Sequence, residues 1–184
     1  MVREELQRIG RLVDDLLAVA RSEGEDFVVP RPIDLGRFFE DLRLRLTGLG
    51  VDGVELRPAP SGDLLADPNR LAQALLNLVI NASVHTPAGT RIEVGARRTP
   101  SGLAFFVRDD GPGMPTDLQA RAFEPFVTGR SDGHDSSGLG LAVVAAIVAA
   151  HGGSVDLESG PAGTTITLDF PAGTAAPGDE TRPY

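Results

Sequence analysis

The sequence contains no cysteine and no lysine; all 17 of its basic residues are arginine. Without cysteine there is no disulfide framework, no thiolate zinc site and no thiol nucleophile. Without lysine there is no P-loop, whose phosphate clamp is a lysine, and no Schiff-base chemistry. Long apolar runs are missing too. The longest, Leu139–Ala150, is interrupted by Gly140 and is too short to span a bilayer. The opening MVREELQRIG carries acids and no apolar segment, so it does not read as a signal peptide, and a soluble cytoplasmic chain is the expectation. Positive charge is in deficit: 26 acidic residues against 17 basic ones give a formal net charge of -9. Nucleic acid and anionic membrane would both repel such a chain, so neither is an expected partner. What remains is ordinary globular composition, 41% hydrophobic and 23% charged over 184 residues. That suits one compact domain with an appendage.

Residues 2–22 read as an amphipathic helix. Leu6, Ile9, Val13, Leu16 and Ala20 repeat at alternating spacings of three and four, the seam of a coiled coil or helical bundle. Residues 23–33, with charges, a glycine and two prolines, read as a linker that separates this helix from the main core. Asp34 can cap a helix over about residues 35–46, stopped by Gly48 and Gly50. Val54–Arg57 and Leu64–Ala66 are short strand candidates around the turn PAPSGD. Asp67-Pro68 starts a helix over about residues 68–84. Strands are expected at 91–98 and 103–108, then a long stretch rich in Gly, Pro, Ser and Asp over 110–137. A buried helix over 139–151 follows, stopped by Gly152-Gly153, and then a last hairpin of 154–158 and 164–170. The tail 172–184 reads as disordered.

Several short stretches carry chemistry. In LLNLVINA, Asn77 and Asn81 are four apart and share a helical face. Amides in so apolar a helix need partners. They are either internally bonded core groups or hard neutral ligands suited to Mg²⁺. Asp109-Asp110-Gly111-Pro112-Gly113 follows a strand. It reads as an ordinary turn, or as a carboxylate for an exocyclic amine beside glycines that let backbone approach a flat ligand. Ser137-Gly138-Leu139-Gly140-Leu141 opens a helix. Either Ser136 or Ser137 caps it plainly, or its free N–H groups and dipole receive an anion. Phe123 and Phe126, in AFEPF, stand as two anchors for the long loop, and Gly163-Thr164-Thr165 begins the last strand.

In this order the pieces resemble the catalytic, ATP-binding domain of two-component sensor histidine kinases, within the histidine-kinase-type ATPase superfamily. LLNLVINA resembles the N box, DDGPG the first glycine box, FEPF the F box, SSGLGL the second glycine box and GTT the last glycine–threonine element. The resemblance covers about residues 34–171, and 2–22 resembles the second helix of the family's dimerisation and phosphoacceptor domain. It implies an α+β (α/β) two-layer sandwich, a mixed sheet of about five strands covered on one face by three helices. It implies Asn81 on the Mg²⁺ that bridges the ATP phosphates, with Asn77 facing the same region as its catalytic companion. Asp109 would meet the adenine amino group, with Thr164 nearby through water, and Gly111 and Gly113 would line the base pocket. Gly138 and Gly140 would receive the phosphates. His85, Met114, Phe126, Arg130, Ser137, Leu139 and Leu141 complete the implied nucleotide-binding set. Residues 114–136 would form the ATP lid, pinned by Phe123 and Phe126.

Departures from the family pattern sharpen these expectations. Where the family often has a phosphate-reaching lysine this chain has Val84, and Arg130 stands in the lid as a replacement. The second glycine box opens on Ser136 instead of glycine. None of His85, His134 and His151 precedes an acid on an exposed bundle helix. The phosphoacceptor is therefore expected outside this chain, which would make it a fragment or one half of a split kinase. Its partners would be a phosphoacceptor histidine domain and a response regulator, with dimerisation through helix 2–22. Related ATPases such as gyrase carry a glutamate four residues before the metal asparagine to activate water. Asn77 stands there, and an amide cannot accept that proton. Two other readings compete: a nucleotide-binding docking module without kinase activity, and an anti-sigma-type serine kinase.

Overall fold

The computed structural model describes residues 27–128 and 137–171. The helix expected over 2–22, the lid segment 129–136 and the tail from 172 lie outside the described residues.

Capping acids set the helix starts. Asp34 ends strand β1 (Arg31–Asp34) and its carboxylate accepts the Arg37 N–H at 2.8 Å, opening helix α1 (Leu35–Leu49). The helix outruns the predicted end at residue 46. The left-handed stop falls on Gly50, whose φ is 65°, and Gly48 stays helical. Asp67 accepts the Asn69 and Arg70 N–H groups at 2.9 and 3.1 Å, and Pro68 takes the first position of helix α2 (Pro68–His85).

The remaining strands are β2 (Val54–Leu56), β3 (Asp63–Ala66), β4 (Ile92–Thr99), β5 (Gly102–Asp109), β6 (Ser154–Gly160) and β7 (Gly163–Pro171). The one-turn α3 (Thr116–Gln119) and the apolar α4 (Gly140–Ala150) lie between β5 and β6. Five strands form one mixed sheet in the order β2-β4-β5-β7-β6, with β2 parallel to β4 and the other pairs antiparallel. This is the expected sandwich, with two differences. The strands on either side of PAPSGD do not pair with each other: β2 joins the large sheet, and β3 pairs antiparallel with β1. And β1 begins inside the stretch read as linker, where Phe27 is also buried in the core. A two-stranded ribbon tolerates Pro32, because an edge strand leaves alternate N–H groups unpaired.

The two-residue period of β5 sends Leu103, Phe105, Val107 and Asp109 to the helix-covered face. Phe105 is fully buried. Its ring centroid lies 6.2 Å from Phe38, 6.3 Å from Phe39 and 5.6 Å from Phe170, so it joins α1 to the sheet centre. Truncating such a ring to alanine costs about 3–5 kcal/mol. Leu71, Leu75, Leu78 and Val79 of α2 and Val143, Val144, Ile147 and Val148 of α4 complete the same core. The opposite sheet face is polar, with Arg108, Thr165 and Glu158 side by side across β5, β7 and β6. On the helix side the corresponding row at the strand ends is Asp109, Thr164 and Ser159.

Candidate functional site

The site has two ends. The first grows from that row of strand ends. Asp109 is the last residue of β5 and its side chain is buried. Its Oδ1 accepts the Gly111 N–H at 2.9 Å and the Thr164 N–H at 3.3 Å, and its Oδ2 has no partner among the described residues. Burial pushes the Asp109 carboxyl above its ordinary range. The two N–H groups oppose that shift and neighbouring Asp110 adds to it. The chain then turns through Gly113, whose φ is 79°. A Cβ there would overlap the Gly160 carbonyl, so only glycine lets the loop lie on the β6–β7 turn. Next, Met114 donates its N–H to Ser159 Oγ at 2.7 Å, and Ser159 Oγ lies 2.8 Å from Thr164 Oγ1. Gln119 of α3 holds the loop down by donating to Met114 O at 2.7 Å.

The second end lies between α2 and the start of α4. Asn77 Nδ2 donates to Gly140 O at 3.4 Å and ties the two helices together. Asn81, one turn further along α2, makes no hydrogen bond to any described residue. Helix α4 begins without a side-chain cap, since Ser137 Oγ accepts only the Leu139 N–H at 3.3 Å. The first bond back along the helix is Val143 N–H to Leu139 O, so the N–H groups of Gly140, Leu141 and Ala142 point out of the helix start. Gly138 has a φ of 66°, and a Cβ there would come within 2.7 Å of the Phe126 backbone. Phe126 N–H donates to Gly138 O at 2.9 Å, which joins the F-box segment to the glycine loop.

The two amides of LLNLVINA share a helical face but differ: Asn77 braces the start of α4, and Asn81 is open among the described residues. Among the described residues no group of three or more His, Asp or Glu side chains converges. A divalent cation here would meet one neutral amide oxygen and take its other ligands from phosphate and water. That is how Mg²⁺ commonly binds, so Asn81 fits the role.

One expectation fails. Phe126 does not pin the loop through its ring, which is 67% exposed, and its backbone sits at φ 65°. Phe123 does pack against the core. Arg130 lies outside the described residues. His85 ends α2 at the surface, beside exposed Val84. His151 is structural. Its Nε2 accepts the Asp67 N–H at 2.9 Å, its Nδ1 donates to Ile147 O at 2.7 Å, and its ring meets Phe170 edge-on at 5.5 Å. Sequence reasoning missed Ser159 and Gln119. A serine ahead of Gly-Pro reads as turn chemistry, and only the cross-strand register with Thr164 would have exposed it.

Near the N-terminus of α2, Val29 N–H donates to Asp67 Oδ2 at 3.1 Å, and Arg70 stacks over the Phe27 ring at 4.7 Å. Burial alone would raise the Asp67 carboxyl. The N–H groups of Val29, Arg70 and Asn69, with the Arg70 charge, hold it below its ordinary range instead.

Residues 66–174 match the family described as histidine kinase-, DNA gyrase B-, and HSP90-like ATPase, and the chain belongs to it. More narrowly, it is the ATPase domain of sensor histidine kinases. The chain is 37% identical over 176 residues to the probable sensor histidine kinase TcrY of Mycobacterium tuberculosis, an overlap of 92% of this chain and 37% of that protein. Among solved structures it resembles the mycobacterial sensor histidine kinase MprB, with 28% identity and a TM-score of 0.66 over 77% of this chain and 97% of that one. It also resembles full-length ShkA in complex with AMPPNP, with 31% identity and a TM-score of 0.76 over 95% of this chain and 38% of that one. The chain spans between 23% and 46% of the length of curated relatives it matches. Among the described residues no helix is long and apolar enough to cross a membrane.

Proposed function

We propose that this chain binds Mg-ATP and transfers its γ-phosphoryl group to a histidine on a bundle helix, which then feeds a response regulator. Residues 34–171 form the nucleotide domain in this reading, and 1–22 belong to the bundle through which two copies pair, on the cytoplasmic side. Asp109 accepts from the adenine amino group, Thr164 stands beside it, and Gly111 and Gly113 border the base. The N–H groups at the start of α4 receive the phosphates and Asn81 holds the cation, which supplies charge neutralisation as the phosphoryl group moves. The imidazole nitrogen attacks the γ-phosphorus, the bond to the β,γ-bridging oxygen breaks, and ADP leaves. Asn77 donates to Gly140 O and carries no base, so transfer to a protein nucleophile is favoured over hydrolysis.

The observation that carries this reading is that Asn77 ties α2 to the uncapped start of α4, while Asn81, one turn further along the same face of α2, makes no hydrogen bond to any described residue. The test mixes the chain with labelled Mg-ATP and a cognate histidine-bearing helix pair. Acid-labile label on the bundle is the expected product. Stoichiometric ATP binding with no transfer to that bundle would sink the proposal, and acid-stable phosphoserine would replace it with a serine kinase.

A further inference from the structure

Helix α2 stops where Pro87 follows Thr86. A residue before proline is pushed to extended backbone, and Thr86 sits at φ -118° and ψ 157°. Its half-buried side chain makes two different contacts. Oγ1 donates to Ala82 O at 2.7 Å, back into the last turn of α2, and Ala82 is next to Asn81 in the chain. Cγ2 lies against Gly111: a Cβ there would come within 2.6 Å of this methyl and within 2.9 Å of Asp109 Oδ1. Threonine branches at Cβ and is stiff at χ1, so fixing the hydroxyl also fixes the methyl. The far end of the same connection makes a matching contact. Arg91 N–H donates to Asp110 Oδ1 at 2.8 Å, and Asp110 N–H donates to Arg91 O at 3.2 Å. The glycine turn after β5 is thus held by both ends of the segment that joins α2 to β4.

We infer that Thr86 is a positioning residue that braces both ends of the proposed nucleotide site: its hydroxyl steadies the turn of α2 beside Asn81, and its methyl seats Gly111, whose N–H holds Asp109 Oδ1. This rests on the nucleotide reading above and adds to it a mechanical link between the two ends. The link acts through neighbours: through Ala82 O on one side and through the Gly111 backbone on the other. One branched carbon serves both, and its branches can be removed one at a time. Serine keeps the hydroxyl and lacks the methyl. Valine keeps the branched shape and lacks the donor. The seat can also be probed from the opposite side. Gly111 lies outside the left-handed region, so alanine there meets only the steric contacts with Thr86 Cγ2 and Asp109 Oδ1.

The test compares wild type, Thr86→Ser, Thr86→Val, Gly111→Ala and the double variant Gly111→Ala with Thr86→Ser, all in the full chain. Calorimetry with ADP, with and without Mg²⁺, reads the two ends. Amide hydrogen exchange without nucleotide reads the two contacts, and thermal melting checks the fold. In Thr86→Ser the Gly111 amide should exchange about fivefold faster, and ADP affinity without Mg²⁺ should fall about threefold while the gain on adding Mg²⁺ is kept. In Thr86→Val the last turn of α2 should exchange about fivefold faster. The gain on adding Mg²⁺ should shrink about threefold, while ADP affinity without Mg²⁺ stays within about twofold. Gly111→Ala should lose about tenfold in ADP affinity, and adding Thr86→Ser should win back about threefold, because it removes the methyl in the way. Losses that multiply in the double variant, or unchanged Gly111 exchange in Thr86→Ser, overturn the methyl seat. Unchanged α2 exchange in Thr86→Val overturns the hydroxyl brace. Equal losses in both titrations for both Thr86 variants, with a lower melting temperature, reduce Thr86 to a structural residue and overturn the proposal. If the wild-type chain gives no heat with ADP, the nucleotide reading itself fails, and the nucleotide-free exchange still decides whether Thr86 makes both braces.

Discussion

Asp109 and Asn81, the two ends of the proposed nucleotide site, are held in opposite ways. Asp109 stands on a strand, buried, with one oxygen already held by two backbone N–H groups. Asn81 stands on α2 with no hydrogen-bond partner among the described residues, one turn beyond the Asn77 that ties α2 to the uncapped start of α4. Strand ends fix side chains through cross-strand register, so the Asp109 end is set before any ligand arrives. Helix ends and amide side chains present groups that phosphate and a cation complete on arrival. In the proposed reading the first end would serve recognition and the second would respond to charge.

The largest expected effect comes from breaking the prepared end. Asp109→Ala removes a charged acceptor and leaves the Gly111 and Thr164 N–H groups unpaired. ADP affinity should fall about a hundredfold, equally with and without Mg²⁺, in calorimetry. A loss confined to the Mg²⁺ titration would erase the contrast between the ends. Asn81→Ala should act in the complementary way. ADP binding without Mg²⁺ should stay within about twofold of wild type, while the gain on adding Mg²⁺, about tenfold, should vanish together with phosphotransfer. Equal losses in both titrations would show that Asn81 acts through the fold and not through a cation. Retained transfer would remove it from the mechanism.

Much of this contrast was legible in the sequence because it rests on local rules. Asp34 and Asp67 announce themselves as caps, the four-residue spacing of Asn77 and Asn81 sets them on one face, and the period of β5 places Asp109 with Phe105 and Val107. What escaped depends on pairing across the chain. Two prolines made the segment carrying β1 look like linker, although β3 lies ready to pair with it. The two short strands around PAPSGD were legible as strands, but not their partners: β2 pairs with β4 in parallel. Phe126 looked like a buried anchor because composition cannot reveal that its backbone turns left-handed. Asn77 and Asn81 look alike in the sequence, and only Gly140 O tells the brace from the open ligand.

The smallest effect, and the sharpest test of the prepared end, is a pH window. Asp109 has a folded pKa raised by burial, so the folded chain takes up its proton above the ordinary carboxylate value of about 3.9. As pH rises through that interval the free protein gives up some stability, because it must bury a charge that the unfolded chain keeps in water. In the proposed reading nucleotide binding needs the ionised form, since the carboxylate would accept from the adenine amino group. ADP affinity should therefore fall as pH drops through the raised pKa of Asp109. Asp67 has the opposite sign. Its carboxylate is held below the ordinary range by N–H groups and Arg70, so its contribution is present above about 3.9 and is lost only as pH falls through the lower folded value. Acidification should thus weaken the ligand before it loosens the start of α2. Calorimetry with ADP over a falling pH series, beside circular dichroism, should show affinity declining while ellipticity still holds. In Asp109→Asn that decline should flatten. Affinity and ellipticity falling together would mean that acid acts on the whole fold, and the purine end would lose its separate titration.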